Sequence, residues 1–165
     1  MPATDLVLHE EEYERIREVI TRLRAECNAK VVFLVDKNGQ QIAAHGDIEN
    51  LDTTSLASLT AGNVAATDGL ARLIGEEEFS ILFHEGEKDN IHISIVARRV
   101  ILVVIFDERS SLGLVRLRVK RGSAELKNIL DDVFARSAAA PKKVAAGGGA
   151  FAEITDEDID RLFSD

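Results

Sequence analysis

The feature that most constrains the fold is the run VILVVIF at Val100–Phe106, in which seven consecutive residues are apolar. Side chains of a β-strand alternate between two faces, so a strand that is apolar throughout needs cover on both of them. The run therefore predicts a central strand with other elements packed above and below it. It is far shorter than the roughly 18 apolar residues that cross a bilayer, so we expect no membrane span.

The residues that come first in the chain predict one helix and one hairpin. Apolar side chains recur every three or four positions from Tyr13 to Cys27, which is typical of an amphipathic helix over 9–28. A β-branched run at 30–35 is followed by the turn sequence DKNG and then by QQIAAH at 40–45. Because Asn-Gly between two such runs is a strong hairpin signal, we predict two paired strands here.

The middle of the chain predicts a long helix over 53–75. Asp52 is a suitable N-cap because its carboxylate can accept the unpaired N–H groups of the first helical turn. Gly75 is a suitable stop because glycine readily adopts the left-handed conformation that ends many helices.

Two further strands and a last helix complete the predicted domain. Strands at 81–85 and 90–97 precede the central run, and Ser110 or Ser111 can cap a helix that continues to the end of the domain. The resulting order is α-β-β-α-β-β-β-α. It predicts an α/β sandwich over residues 1–136, with a five-stranded, mostly antiparallel sheet.

Charge and cysteine content exclude several classes of protein. The formal net charge is −9, which argues against nucleic acid as a partner because phosphate binding requires a basic surface. Cys27 is the only cysteine, so an intramolecular disulfide is excluded and a cytoplasmic location is favoured. The first residues also lack the basic and apolar regions of a signal peptide.

No motif for catalysis or cofactor binding is present. The sequence contains no phosphate-binding loop, dinucleotide fingerprint, nucleophile elbow, HExxH or CxxC. His9, His45, His84 and His92 fall in four different predicted elements, and only the last two could be neighbours, as ordinary strand residues rather than metal ligands. We therefore expect no metal, no cofactor and no active site of its own.

The helix over 53–75 carries a stripe of small residues. Ser58, Gly62, Ala65 and Gly69 lie along one face, although each glycine costs about 1 kcal/mol of helix propensity relative to alanine. Small residues allow close approach, either to the protein's own sheet or to a second subunit or partner. In the second case the core side of the helix would be supplied by Leu56, Leu59, Val64, Leu70, Leu73 and Ile74.

The C-terminus predicts a short helix on a tether. Residues 137–149 contain a proline, small residues and a glycine triplet, which predicts a flexible linker, and 150–165 then carry helix start signals at Thr155 and Asp158. An isolated helix of two turns is marginal in water, so it must dock on its own domain or in a groove of another protein. Its apolar residues are Phe151, Ile154, Ile159, Leu162 and Phe163.

Opposite charges are concentrated in two parts of the chain. Residues 151–165 contain six acidic residues and one arginine, a net charge of −5. The segment RLRVKR at 116–121, on the last predicted helix, contains four basic residues in six. This basic run is either a solvated face, a dock for an acidic partner or a dock for the protein's own tail.

Three runs resemble the Roadblock/dynein light chain family: AKVVFLVDKNGQ at 29–40, DTTSLASLTAGNVAA at 52–66 and VILVVIFDERSSLGLVRLRVK at 100–120. The element order matches the same family. In addition, FAEITDEDIDRLF at 151–163 is similar to the C-terminal extension of a bacterial subgroup, so the resemblance covers nearly the full length.

The resemblance implies a Roadblock-type homodimer, with two sheets joined and two central helices side by side, that binds one small Ras-like GTPase. It implies a GTPase-activating protein of bacterial cell polarity and gliding motility that remodels the switch regions of its partner without an arginine finger. The C-terminal helix is then expected to dock on a second GTPase surface and to promote nucleotide exchange. The protein is expected in the cytoplasm, clustered at a cell pole.

The resemblance also implies candidate partner-binding residues. On the central helix these are Thr53, Thr54, Ala57, Ala61, Ala65, Asp68 and Gly69, although Asp68 places an acid in an otherwise small, apolar helix. In the tail they are the five apolar residues named above. A charged rim is expected at Arg15, Arg116 and Arg121.

Two other functions remain open. A Roadblock-type scaffold could localise a GTPase or cytoskeletal partner without changing its kinetics. A small-molecule sensor is disfavoured because the chain has few aromatic residues and no convergent polar cluster.

Overall fold

The computed structural model describes residues 7–139. Within this range it contains three helices and five strands in the predicted order. Their bounds are α1 Glu10–Cys27, β1 Val31–Asp36, β2 Gln41–Gly46, α2 Thr53–Leu73, β3 Ile81–Glu85, β4 Asn90–Ala97, β5 Val100–Phe106 and α3 Leu112–Ala139.

Strand β5 is the middle strand of the sheet. The strand order is β2-β1-β5-β4-β3, and all four neighbouring pairs are antiparallel. Every residue of β5 is buried. The structure therefore confirms both the five-stranded sheet and the prediction that this apolar run is covered on two faces.

The two faces of the sheet are covered by different helices. Odd-numbered residues of β1 and β5, such as Phe33 and Val103, cluster with Ala57 and Val64 of α2. Even-numbered residues, such as Leu34, point to the other face and are equally buried. Helices α1 and α3 cover that second face, so the sheet is the middle layer of three.

Helices α1 and α3 pack closely against each other. Gly122 of α3 lies against Leu23 of α1, and a Cβ atom at Gly122 would be 3.1 Å from a methyl carbon of that leucine. One turn further along α1, Cys27 is close enough to Arg118 to feel its positive charge, and Arg118 lies one turn earlier on α3. The two helices therefore run antiparallel.

Both predicted ends of α2 are confirmed. The Asp52 carboxylate accepts a hydrogen bond from the backbone N–H of Ser55 at 3.0 Å. At the other end Gly75 adopts φ 85°, and the N–H of Glu76 donates to the carbonyl of Ala71 at 2.8 Å. This pattern needs a left-handed residue after the helix, which glycine adopts without strain.

The structure distinguishes the two serines that could begin α3. Ser111 is the cap, because its hydroxyl accepts from the N–H of Leu114 at 3.2 Å, whereas the Ser110 hydroxyl donates to the carbonyl of Cys27. The helix continues to Ala139, so it includes the first three residues of the range that we predicted as a linker.

The two histidines of the β3–β4 hairpin lie on opposite faces of the sheet. His84 pairs with Ile91, which packs on the α2 side, and His92 pairs with Phe83. The His92 side chain is buried on the side of α1 and α3. They are therefore not neighbours.

The described residues fall into two compact units. Residues 9–130 form one. Residues 7–8 and 131–139 belong to the other, in which the Arg136 guanidinium donates a hydrogen bond to the carbonyl of Val7. None of the helices in 7–139 is both long and apolar enough to cross a membrane.

The burial of His92 predicts that folding stability depends on pH. Burial, with the nearby positive charge of Arg116, holds the pKa of this imidazole below its ordinary value of 6.5. The neutral ring is therefore the native form, and its contribution to stability is complete above pH 6.5. It is lost as the pH falls through 6.5 towards the lower pKa of the folded state.

Urea unfolding between pH 8 and 5 checks this expectation. The free energy of unfolding of the parent should fall more steeply with acidity than that of His92→Phe. The slope for Arg116→Ala should lie between these two, because this change removes the positive charge near His92 and leaves the ring buried. Equal slopes for the parent and His92→Phe would contradict the account.

Candidate partner-binding surface

The side of α2 that faces the sheet consists of small and medium-sized residues. Five residues of this helix are buried: Ala57, Thr60, Ala61, Val64 and Ala71. The other four lie three, four, seven and fourteen positions after Ala57, so the five form one continuous stripe. Because alanine side chains are short, this stripe lets the helix axis lie close to the strands.

The large apolar residues of α2 point away from the sheet. Leu59 is 72% exposed, Leu70 60%, Leu73 83% and Ile74, just beyond the helix, 69%. We predicted these four residues on the core side, and that prediction is wrong because the alanines occupy the position next to the sheet. The prediction was correct for Val64, which is buried, and Leu56 is half-buried against the same core.

We call this outer side of α2 the exposed α2 face. Along it, Leu59, Gly62, Ala66, Gly69 and Leu73 follow each other at alternating steps of three and four, and all five are exposed. A Cβ atom at Gly62 or Gly69 would meet nothing within 4 Å. The face is therefore apolar at its ends and flat along its length.

The predicted interface residues of α2 divide between the two sides of the helix. Ala65 and Gly69 are exposed, as is Thr54 near the start of the helix. Ala57 and Ala61 are 1% and 9% exposed against the protein's own sheet, so they offer no surface to a partner in this conformation. Thr53 and Asp68 are intermediate.

Sequence reasoning missed Leu59, Ala66, Leu70 and Leu73 as surface residues. The signal that could have found them is the same alternation of three and four residues, extended from the two glycines to the leucines on either side. It was ambiguous because both sides of α2 are apolar, and a leucine is ordinarily the residue that is buried.

Strand β3 forms an edge of the sheet next to the exposed α2 face. Among residues 7–139 its only strand partner is β4, and Ile81 at its start is 47% exposed. His84 of β3 is joined to α2 by a contact of 2.9 Å between its Nε2 atom and the side-chain nitrogen of Asn63. Because Asn63 lies beside Gly62, the strand edge and the helix face are adjacent.

Asp68 takes part in an ion-pair cluster at one end of α2. The Lys37 ammonium lies 3.8 Å from a carboxylate oxygen of Asp68 and 3.8 Å from one of Glu78. Lys37 belongs to the β1–β2 turn, and Glu78 to the loop between α2 and β3. The unexpected acid in this helix thus has a cation opposite it.

The predicted charged rim lies elsewhere. Arg116 and Arg121 are exposed on α3, and Arg15 is exposed on α1. All three belong to the layer on the far side of the sheet from α2. Because α1 and α3 are antiparallel and Leu23 lies beside Gly122, Arg15 is also about two and a half turns from the level of Arg121 and about four turns from that of Arg116. The structure therefore does not bring these arginines together with the α2 residues.

The described residues contain no metal-binding cluster. Residues 7–139 contain no group of three His, Cys, Asp or Glu side chains that could hold a metal ion. Burial raises the pKa of the Cys27 thiol to about 11, so this thiol stays protonated and unreactive near neutral pH.

One small cavity opens beside the C-terminal end of α1. It has a volume of about 240 Å³, and Arg24, His45 and Arg109 are among the residues that line it. Both arginines already face aspartates, Asp47 and Asp107 respectively. Its volume is below the roughly 300–1,000 Å³ typical of small-molecule sites.

The candidate residues of the tail, Phe151, Ile154, Ile159, Leu162 and Phe163, lie outside the described residues. The same holds for most of the predicted linker and for the predicted helix over 150–165.

A family model described as "Roadblock/LC7 domain" matches residues 15–106, which is more than half of the chain. The chain therefore belongs to the Roadblock/LC7 family.

Solved structures are more specific. The chain is similar to MglB from Myxococcus xanthus, with 62% identity, a TM-score of 0.74 and coverage of 78% of this chain and 96% of that one. It is also similar to the gliding protein MglB from Thermus thermophilus, with 35% identity, a TM-score of 0.74 and coverage of 78% and 97%.

Two other comparisons are less specific than the likeness to MglB. A Roadblock/LC7 domain from Streptomyces avermitilis, 12% identical with a TM-score of 0.63 and coverage of 68% and 95%, shares the fold alone. Among curated proteins no match was found.

The orientation of α2 yields a matched test. Ala57→Leu inserts three carbons between the helix and the sheet, and overpacking of this kind costs about 1–3 kcal/mol of unfolding free energy. Ala25→Leu, the same change at an exposed position of α1, should stay within about 0.5 kcal/mol. Urea unfolding of both variants checks this, and a loss at position 57 no larger than that at position 25 would contradict the orientation.

Proposed function

We propose that this chain is a homodimeric regulator that stimulates GTP hydrolysis by a small Ras-like GTPase of the MglA type, one GTPase per dimer. The observation that carries the proposal is the exposed α2 face, in a Roadblock domain that is 62% identical to an MglB over 78% of the chain. The dimer and its GTPase meet on this face and on the adjoining edge of β3.

The free energy that burial of the exposed α2 face would provide supports an interface there. Full burial of a leucine or isoleucine side chain stabilises by roughly 1.5–3 kcal/mol, and four such side chains are at least 60% exposed here. Because these side chains are mostly exposed, a single chain gains only a small part of this stabilisation. Gly62 and Ala66 between them allow a second helix to approach closely.

The proposed mechanism places the chemistry in the partner. The dimer holds the switch loops of the GTPase so that the partner's own residues orient the attacking water and stabilise the γ-phosphate. In many other systems an arginine supplied in trans raises the rate by about 10³–10⁵. Here the regulator contributes a surface, and no arginine finger.

Four arginines test this part of the mechanism. Arg99 faces the Asp36 carboxylate at 3.9 Å, and Arg109 faces that of Asp107 at 3.0 Å, whereas Arg72 and Arg98 are exposed. The first two arginines therefore have structural partners, and the second two are the better candidates for a finger.

We expect Arg72→Ala and Arg98→Ala to keep single-turnover stimulation within about threefold of the parent, against the 10³-fold or greater loss expected on removal of a finger. Arg99→Ala and Arg109→Ala are the paired controls, in which any loss should follow a loss of stability. If one variant binds the GTPase normally and no longer stimulates it, the mechanism is wrong.

The C-terminal segment has a separate proposed role. The predicted helix over 150–165 docks on a second surface of the GTPase and promotes nucleotide exchange, and the linker keeps its effective concentration high. The motivating observation is a set of helix start signals and apolar residues within a strongly acidic segment. We also propose a cytoplasmic protein that clusters at a cell pole in gliding or polarised bacteria.

The alternative is a scaffold that positions a GTPase or a cytoskeletal partner without changing its kinetics. The structure of an MglB "with tetrameric arrangement", 33% identical to this chain, favours a role in assembly. A shuffled 150–165 segment that leaves binding and both nucleotide rates unchanged would support the scaffold. Normal hydrolysis with slower exchange would support the regulator.

A further inference from the structure

One exposed side of α3 is strongly basic, although the chain as a whole is acidic. Arg116, Lys120 and Arg121 are exposed there, and Leu117 among them is 63% exposed. No acidic residue occurs between Ser110 and Ala124. We call these four residues the basic α3 face.

The cations of the basic α3 face have no carboxylate partners among residues 7–139. Cations of α1 are paired, since Arg22 forms an ion pair with Glu125 and Arg24 with Asp47. Within the part of the chain that the structure describes, the head groups of Arg116, Lys120 and Arg121 form no such pair or hydrogen bond. The face therefore combines uncompensated positive charge with an exposed leucine.

We propose that the basic α3 face binds the acidic C-terminal segment of the same chain, residues 155–163. This segment contains four acidic residues and one arginine. Its Ile159, Leu162 and Phe163 occur at i, i+3 and i+4, so as a helix it would present an apolar side to Leu117 and carboxylates to the cations around it.

The chain outside the described residues is long enough for this contact. Fifteen residues lie between Ala139 and Thr155, and fully extended they span up to about 50 Å. Helix α3 has 28 residues and is about 42 Å long. The segment can therefore reach any position along the helix that it follows.

The docking does not rest on the proposed function, but its consequence does. A segment bound to the basic α3 face is not free to engage a GTPase, so release from this face would precede its action on nucleotide exchange. Ionic strength and competing acidic segments would then adjust the fraction of free tail.

A single tryptophan in the full-length chain tests the docking without any GTPase. The chain contains no tryptophan, so Ser164→Trp provides one probe beside Phe163. Acrylamide quenching of this tryptophan is compared with that of a free peptide, residues 150–165, carrying the same change. Docking predicts that the quenching constant of the full-length chain is clearly below that of the peptide. In 0.5 M NaCl it should rise to the peptide value. It should not change with protein concentration.

Charge reversal locates the site. Arg116→Glu/Arg121→Glu should lower the docking equilibrium constant by about tenfold or more and bring quenching to the peptide value. The matched control is Lys88→Glu/Arg98→Glu, which reverses two exposed cations on the β-hairpin turns and should leave the tryptophan protected. Circular dichroism and melting temperature verify that each variant is folded.

Three results would overturn the proposal. Quenching equal to that of the peptide in the parent would show that the tail does not dock. If the tryptophan stays protected from acrylamide in Arg116→Glu/Arg121→Glu, the tail docks somewhere other than the basic α3 face. Equal release by the reversal and by its control would show an effect of net charge alone.

Discussion

The fold depends on the burial of β5 on both of its faces. A strand of seven apolar residues at the centre of the sheet requires a helical layer above and below it, and the chain supplies α2 for one and α1 with α3 for the other. On the α2 side the helix lies close to the sheet, because short alanine side chains rather than leucines face the strands. The leucines of α2 consequently lie on the outside, where they form an exposed apolar surface.

The two helical layers therefore offer different surfaces. The α2 side is apolar and flat, beside an open strand edge, which suits a large protein interface. The α3 side is basic with one exposed leucine, which suits a short acidic helix. The sheet separates the two, so a single chain can hold two occupants without overlap. In the account proposed here, the first surface regulates hydrolysis and the second regulates the tail.

The sequence predicted most of the fold because its signals are local. Apolar periodicity, the Asn-Gly turn, the Asp52 cap and the Gly75 stop each depend on a few neighbouring residues, and the structure confirms them. The rotation of α2 about its axis could not be predicted, because it depends on how closely the helix approaches the strands. Leu73 and Ala57 both belong to plausible apolar faces, and only packing distinguishes them. The separation of Arg15 from Arg116 likewise follows from the antiparallel pairing of α1 and α3.

The most direct test of the central claim is single-turnover GTP hydrolysis by a small Ras-like GTPase of the MglA type. Two variants each place one carboxylate at an exposed helical position: Leu73→Glu on the exposed α2 face and Thr21→Glu on α1, across the sheet. The account predicts that Leu73→Glu remains folded and loses stimulation by about tenfold or more, as for a central interface residue. Thr21→Glu should stimulate as the parent does. Full stimulation by Leu73→Glu, or its loss in Thr21→Glu alone, would contradict the claim that the α2 face is where this protein acts on its partner.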